Sequence, residues 1–225
     1  MRFSFLAPLL AIVTASGCTL WDPDHEPDPD ASLHDLLVRI DDGTEPLDAI
    51  ERERMRFAVE RLAIRHPGHV PSQVAASALA FESGEPQRAQ LFADRALSLE
   101  PGNVEARCLR VRIAVADGSL DLARKLVDDG LRLRPDAAAL YESSAWLLQL
   151  DGRADDALRA LDGAESLNAP AWRVSYHRGL IEELRGNLDL AEEHYRKALG
   201  ANGACAEARQ RIAGIAATRR VGGGR

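Results

Sequence analysis

Small and apolar residues recur along the chain with helical spacing and with a longer period of 34 residues. Counting from an alanine, the residues three, four, seven and eight positions later are apolar or small in nearly every copy. This spacing marks one face of a helix with 3.6 residues per turn. Four copies agree in phase: Ala89-Phe92-Ala93-Ala96-Leu97, Ala123-Leu126-Val127-Gly130-Leu131, Ala157-Ala160-Leu161-Ala164 and Ala191-His194-Tyr195-Ala198-Leu199. The pattern predicts stacked helices whose small residues let neighbouring axes approach closely.

Glycines and prolines keep the same 34-residue period. The glycines are Gly84, Gly118, Gly152 and Gly186, and the prolines are Pro67, Pro101 and Pro135. We expect each glycine to end the first helix of a helix pair, because glycine adopts the left-handed backbone conformation at little cost. No run of alternating β-branched residues closed by a hairpin turn is found, so the sequence predicts an all-α array of helical repeats.

The positions of the small residues within the 34-residue unit, with a proline near its end, resemble the tetratricopeptide repeat family. The resemblance implies an α-α superhelical solenoid with four repeats. We place them at 70–103, 104–137, 138–171 and 172–205. Residues 32–69 are predicted to be an N-terminal cap or degenerate repeat, because Ile50 stands where the glycine would be, while Val59, Leu62 and Ala63 continue the stripe. Residues 206–219 are predicted to form a capping helix, and 220–225 a disordered tail.

The N-terminus reads as a targeting segment. An apolar stretch follows Arg2 and leads through small residues into Cys18, an order that resembles the lipobox of bacterial lipoproteins. The resemblance implies a signal peptide over 1–17, lipidation of Cys18 (diacylglycerol and palmitate) and, because Thr19 is not an aspartate, an outer-membrane location facing the periplasm. Cleavage after Gly17 to give a soluble periplasmic protein is the alternative. Residues 18–31, rich in acids and prolines, are predicted to be an extended tether, so that the lipid is the only membrane anchor.

Candidate catalytic and cofactor chemistry is sparse. Nucleophile elbows, phosphate loops, HExxH and paired CxxC motifs are not present. His66 and His69 flank a predicted turn without a third ligand, and His194 lies on an apolar stripe, so we expect no metal and no cofactor. Cys108 and Cys205 fall nearly three repeats apart and are predicted to be unpaired thiols. The net charge of −7 argues against nucleic acid as a partner.

The family resemblance implies that the first helices of the pairs line a concave groove for a protein or peptide partner. Carried over onto this sequence, the groove residues are Phe81, Cys108, Leu109, Arg112, Glu142, Trp146, Gln149, Arg173, Tyr176, His177 and Glu183. Trp, Tyr and Arg often dominate interface energies, which favours Trp146, Tyr176 and Arg112 as anchors. The alternative is that Trp146 and Tyr176 only pack between helices.

These observations lead us to expect a non-enzymatic scaffold or adaptor in bacterial cell-envelope assembly. The layout resembles the pilotin-type lipoproteins of type IV pili and the lipoprotein that scaffolds murein hydrolases. A self-associating structural subunit is a second hypothesis. An accessory subunit of a polysaccharide-export or peptidoglycan enzyme is a third.

Overall fold

The computed structural model describes residues 28–41 and 48–222, with side chains described for 28–40 and 48–220. The predicted signal peptide, Cys18 and the tether up to residue 27 lie outside the described residues. The described part of the chain is entirely helical, with eleven helices and no strand. None of these helices combines the length and the apolar character needed to span a bilayer.

The helices follow one another with short connections. Their bounds are α1 Pro29–Asp41, α2 Ala49–Arg65, α3 Val70–Glu82, α4 Pro86–Leu99, α5 Val104–Ala116, α6 Leu120–Leu133, α7 Ala138–Leu150, α8 Ala154–Ser166, α9 Ala171–Leu184, α10 Leu188–Ala201 and α11 Ala206–Gly222. Each helix packs against the next, and α3, α5, α7 and α9 also contact one another in that order. The first helices of the pairs therefore lie side by side on one surface of the array. This arrangement confirms the predicted all-α repeat solenoid.

The periodic glycines end the first helices, as the sequence predicts. Gly84, Gly118, Gly152 and Gly186 have φ angles of 75°, 74°, 72° and 81°. After Gly84, the amide of Glu85 donates to the carbonyl of Ala80 at 2.9 Å, and the same bond recurs after the other three glycines. This bond satisfies a carbonyl that the helix end would otherwise leave unpaired.

The second helices bury the predicted stripe. Ala89, Ala123, Ala157 and Ala191 are fully buried. One larger side chain per stripe fills the space beside them: Phe92, Leu161 and Tyr195 are buried and Leu126 is partly buried. The alternation of alanine with one large residue lets the side chains of neighbouring layers interdigitate.

The two ends of the array differ in extent from the sequence-based boundaries. Helix α1 begins at Pro29, inside the predicted tether, because proline is well tolerated in the first turn of a helix, where its missing N–H needs no partner. Helix α2 begins at Ala49, where the Asp48 side chain accepts a hydrogen bond from the Glu51 amide at 2.7 Å. Helix α11 continues through residues 220–222 of the predicted tail, and 223–225 lie outside the described residues.

Candidate functional site

A groove of about 760 Å³ runs across the first helices α3, α5, α7 and α9. Its walls combine aromatic and aliphatic side chains with a few charged ones. The lining residues are Ala78, Val104, Glu105, Cys108, Leu109, Arg112, Ala139, Glu142, Ser143, Trp146, Arg173, Tyr176, His177 and Leu180. Every one of them comes from a first helix, because the second helices face away from this surface.

Most of the residues predicted to line a groove are brought together here. These are Cys108, Leu109, Arg112, Glu142, Trp146, Arg173, Tyr176 and His177. Phe81, Gln149 and Glu183 are not part of the lining. Phe81 lies beneath Arg112, whose guanidinium carbon is 5.0 Å from the ring centre. Glu183 is engaged with the C-terminal helices, since it accepts a hydrogen bond from the Tyr195 hydroxyl at 2.6 Å and lies 3.4 Å from Arg211.

Glu142 and Arg173 form a charged pair inside the groove. The Glu142 side chain is 3% exposed, and its Oε2 lies 2.5 Å from Nη2 of Arg173, which is itself partly exposed. Burial raises the pKa of Glu142, while Arg173 acts in the opposite direction. The Glu142 Oε1 atom is buried and has no hydrogen-bond partner. A buried carboxylate oxygen without a partner is unfavourable, so this atom is a ready acceptor for a donor on a bound ligand.

His177 and Cys108 complete the polar part of the groove. Burial, followed by the positive charge of Arg173, lowers the pKa of His177 to about 4, so the imidazole is neutral at neutral pH. Its Nδ1 is buried and has no hydrogen-bond partner. Burial also raises the pKa of the Cys108 thiol. A thiol held protonated is a poor nucleophile, which does not favour a covalent role for Cys108.

The aromatic side chains lie toward the C-terminal half of the groove. The Tyr176 ring is 5.8 Å from the His177 ring and 5.8 Å from the buried Tyr195 ring. Trp146 and Tyr176 are both half-buried: each packs against a core cluster and also faces the groove. Packing between helices and presentation to a ligand are therefore compatible for these two side chains.

Sequence reasoning missed six of the lining residues, namely Ala78, Val104, Glu105, Ala139, Ser143 and Leu180. On α7, Ala139 and Ser143 flank Glu142 and Trp146 at spacings of three and four residues, which place all four on one helix face. The same spacing relates Val104 to Cys108 on α5, and Tyr176 to Leu180 on α9. A face-by-face projection of each helix could have found them, whereas carrying over a fixed set of repeat positions did not.

The other candidate positions from the sequence are cysteines and histidines. Cys108 and Cys205 are free thiols. His69 lies 3.0 Å from Asp30 of α1, and His194 is partly buried on α10. Within residues 28–40 and 48–220, no three His, Cys, Asp or Glu side chains are grouped to hold a metal ion. The groove offers apolar walls and unpartnered acceptor atoms, which is the chemistry of a binding surface.

Solved structures share this architecture at low sequence identity. A thermophilic tetratricopeptide repeat protein of Thermus thermophilus superposes with a TM-score of 0.72 at 18% identity, over 84% of this chain and 98% of that protein. A tetratricopeptide repeat protein of Parabacteroides merdae gives 0.70 at 16% identity, over 86% of this chain and 73% of that one. PilF of Pseudomonas aeruginosa gives 0.61 at 14% identity, over 88% and 93%. At such identities the similarity establishes the fold alone.

Sequence comparison identifies the repeats directly. No curated protein matches the chain in sequence. Two family models, both described as tetratricopeptide repeat, match residues 80–147 and 144–210, which together make up more than half of the chain. The chain belongs to the tetratricopeptide repeat family.

Proposed function

We propose that this protein is a lipid-anchored, non-enzymatic scaffold of the bacterial cell envelope that captures a protein or peptide partner in the groove across α3, α5, α7 and α9. Tetratricopeptide folds generally present concave surfaces to protein partners. The observation that carries the proposal is the combination, in one groove, of the half-buried aromatics Trp146 and Tyr176 with the unpartnered polar atoms of Glu142 and His177.

The chemistry of the groove supports a peptide rather than a small polar metabolite. Leu109, Leu180 and the two aromatic side chains provide apolar contact area, and Trp and Tyr commonly anchor interfaces. Glu142 Oε1 and His177 Nδ1 provide hydrogen-bonding sites at the centre of that surface. A peptide segment that places an apolar side chain against Trp146 and donates a hydrogen bond to Glu142 satisfies both requirements.

The envelope location is proposed from the sequence. An apolar segment leading through Ala15, Ser16 and Gly17 into Cys18 is the order expected for a lipidated N-terminus. We infer that Cys18 carries the lipid and that the protein faces the periplasm from the outer membrane. Replacing Cys18 with Ser is expected to release the protein from membranes that are washed in high salt, as measured by fractionation, and retention of the variant in the washed membranes would contradict the anchor.

The groove is tested by substituting two of its three predicted anchors together. We expect Trp146→Ala combined with Arg112→Glu to abolish the cross-linking of partners in native envelopes, because it removes an aromatic wall and reverses a charge at the rim. The partners are identified from the wild-type cross-links. Capture that survives this double substitution with unchanged yield would overturn the groove assignment.

A matched control separates binding from folding. Leu184→Ala with Arg132→Glu changes one apolar residue and one arginine that are both exposed and lie outside the groove. This control should retain capture. Both variants should keep the helical content of the wild type by circular dichroism, so that loss of capture in the groove variant alone reports on binding.

A further inference from the structure

Helix α2 presents an exposed apolar line on its outer side. Ile50, Phe57 and Ile64 are 64%, 40% and 67% exposed. They are seven residues apart, so they lie on the same side of the helix. The line extends over about 21 Å of helix length. One face of the Phe57 ring lies against the guanidinium of Arg56, 4.3 Å from the ring centre, and the rest of the three-residue line is open to a partner.

Arginines run beside this line. Arg54, Arg61 and Arg65 are exposed, and among the described residues they form no ion pair or hydrogen bond. Elsewhere in the chain arginines are mostly paired: Arg124 contacts Asp121 and Asp151, and Arg178 contacts Asp162 and Glu165. In a protein of net charge −7, this local excess of unpaired cations indicates an anionic partner.

The tether joins the folded part of the chain beside this face. The Asp30 carboxylate at the start of α1 lies 3.0 Å from Nε2 of His69, in the turn that follows α2. The chain therefore enters the fold close to Ile64 and Arg65. Ten residues separate Cys18 from Asp28, and a fully extended chain of that length spans at most about 36 Å. A lipid on Cys18 would keep this end of the array within that distance of the bilayer.

We propose that the α2 face, defined as Ile50, Arg54, Phe57, Arg61, Ile64 and Arg65, lies against an anionic membrane surface. The arginines contact lipid phosphates, and the apolar line enters the boundary between headgroups and acyl chains. The inference rests on the lipid anchor proposed above and adds a second membrane contact to it. Together, the lipid on Cys18 and the α2 face restrict the orientation of the solenoid on the membrane. The orientation of the groove relative to the membrane is then restricted as well.

Other occupants of the α2 face fit its chemistry less well. A second copy packed antiparallel on α2 would bring Arg54 of one molecule near Arg61 of the other, which is unfavourable for like charges. The acidic tether supplies carboxylates, but a bilayer interface supplies both anionic groups and a continuous apolar phase along the whole line. Both occupants are distinguished from a membrane in the experiment.

The experiment measures vesicle binding without the lipid. The chain from residue 18 onward with Cys18→Ser is mixed with vesicles of phosphatidylcholine alone or with added phosphatidylglycerol, and binding is read by co-sedimentation. We expect binding only to the vesicles that contain phosphatidylglycerol, and weaker binding as salt is raised. Arg54→Gln with Arg61→Gln should weaken it about twenty-five-fold, because each arginine near an anionic surface contributes about a five-fold gain. Phe57→Ser with Ile64→Ser should weaken it at least roughly ten-fold.

Matched controls lie on other helices. Leu91→Ser with Leu184→Ser removes two leucines as exposed as the α2 isoleucines, and Arg132→Gln with Arg159→Gln removes two exposed arginines. Both control pairs should leave vesicle binding unchanged. Equal binding to both kinds of vesicle, or binding that the α2 variants do not alter, would overturn the proposal.

Two further outcomes would assign the α2 face to another occupant. Binding that appears only when the chain starts at residue 28 would show that the acidic tether covers the face. A dimer in solution that Phe57→Ser dissociates would show that a second copy does. Failure of the lipid anchor is read separately, from the mass of the N-terminal peptide and from fractionation of the Cys18→Ser variant in high salt, which weakens the α2 contact. Failure of the groove is read from partner capture.

Discussion

The N-terminal helices α1 and α2 and the regular pairs α3 to α10 stack into one array, but they are held together differently. In the regular pairs, small residues meet large ones: Gly179 lies against the fully buried ring of Tyr195. Helix α2 joins the first repeat partly through an ion pair in which both side chains are buried, whereas the buried Glu142 of α7 pairs with a partly exposed arginine. Arg56 is 3% exposed and lies 2.7 Å from Glu60, which is 2% exposed and lies 2.5 Å from Arg88 of α4.

The cap also has an apolar contact with the first repeat. Leu33, Val59 and Leu62 form a cluster with Ala76 and Phe92 of the first repeat. The ion pairs make this contact directional, because the guanidinium of Arg56 binds carboxylates whose positions are fixed. Buried ion pairs carry a desolvation cost that apolar packing does not. Their net contribution to the stability of the cap therefore depends on every partner being present.

Different substitutions should therefore destabilise the cap and the repeats. In a solenoid each unit contacts only its neighbours, so its stability is a sum of local terms. Removing one charge should loosen the cap without melting the repeats, whereas altering a small residue in the repeats should act within its own layer.

The largest effect is expected at the cap. Glu60→Ala removes the buried carboxylate that Arg56 and Arg88 share, and breaking a buried pair in this way typically costs about 3–5 kcal/mol. Urea unfolding followed by hydrogen exchange should show early exchange of α2, while α10 keeps its protection.

Glu53 supplies the control for this prediction. It also pairs with Arg56 but is 46% exposed. Because water screens an exposed pair, Glu53→Ala should have a much smaller effect on the exchange of α2. Equal effects of the two substitutions would contradict the role assigned to the buried pair.

A pH-dependent loss of stability is expected in the repeats. In the folded protein His177 has a pKa of about 4, against 6.5 for an ordinary histidine. As the pH falls, the unfolded chain therefore binds a proton at this histidine near pH 6.5, whereas the folded protein binds it only near pH 4. The stability associated with the neutral ring is complete above pH 6.5 and falls as the pH drops toward 4, by about 3 kcal/mol in all.

The variant His177→Gln isolates this effect. Its free energy of unfolding should fall less between pH 7 and pH 4 than that of the wild type, with the difference confined to the window from 6.5 to 4. Because burial also lowers the pKa of His194, part of the wild-type loss should remain in the variant. Parallel pH profiles for the two proteins would show that His177 is not buried neutral.

The fold could be predicted from the sequence because the glycines and the small residues recur with the same 34-residue period. The glycine at the end of α3 is weak evidence alone, but four glycines at one period specify the turn, and the φ angles of all four agree with it. Arg56 and Glu60 were not foreseen as buried, since charged residues usually lie at the surface and only the contact with α4 explains their burial.

The groove was only partly readable. Residue type and repeat register find Trp146 and Tyr176, because the first helices share one exposed side. They do not find where the groove ends. Glu183 has the right register, but contacts with Tyr195 and with α11 hold it outside the lining, and neither contact follows from the period. Residues 1–27 lie outside the described residues, so lipidation at Cys18 stays a prediction.

A smaller effect is expected where glycine meets tyrosine. A Cβ at Gly179 would lie 2.5 Å from Cε1 of Tyr195, whose hydroxyl is hydrogen-bonded to Glu183. Overpacking of this kind costs about 1–3 kcal/mol, and the better helix propensity of alanine returns up to about 1 kcal/mol. We expect Gly179→Ala to destabilise α9 and α10 in urea unfolding. Gly200→Ala, on α10 with open space around it, should be neutral or stabilising instead.

The smallest effect is expected at the glycine turns that join the two helices of each regular pair. Gly84 has a φ of 75° and open space around it, so an added Cβ meets no neighbour and only the backbone conformation is unfavourable. Gly84→Ala should therefore lower the free energy of unfolding by about 1 kcal/mol. Gly68, in the turn between α2 and α3, also has open space but no positive φ, and Gly68→Ala should leave the urea midpoint nearly unchanged. Equal midpoints for the two variants would mean that the left-handed turn adds nothing to the repeats, and that the cap and the repeats differ only in their side-chain contacts.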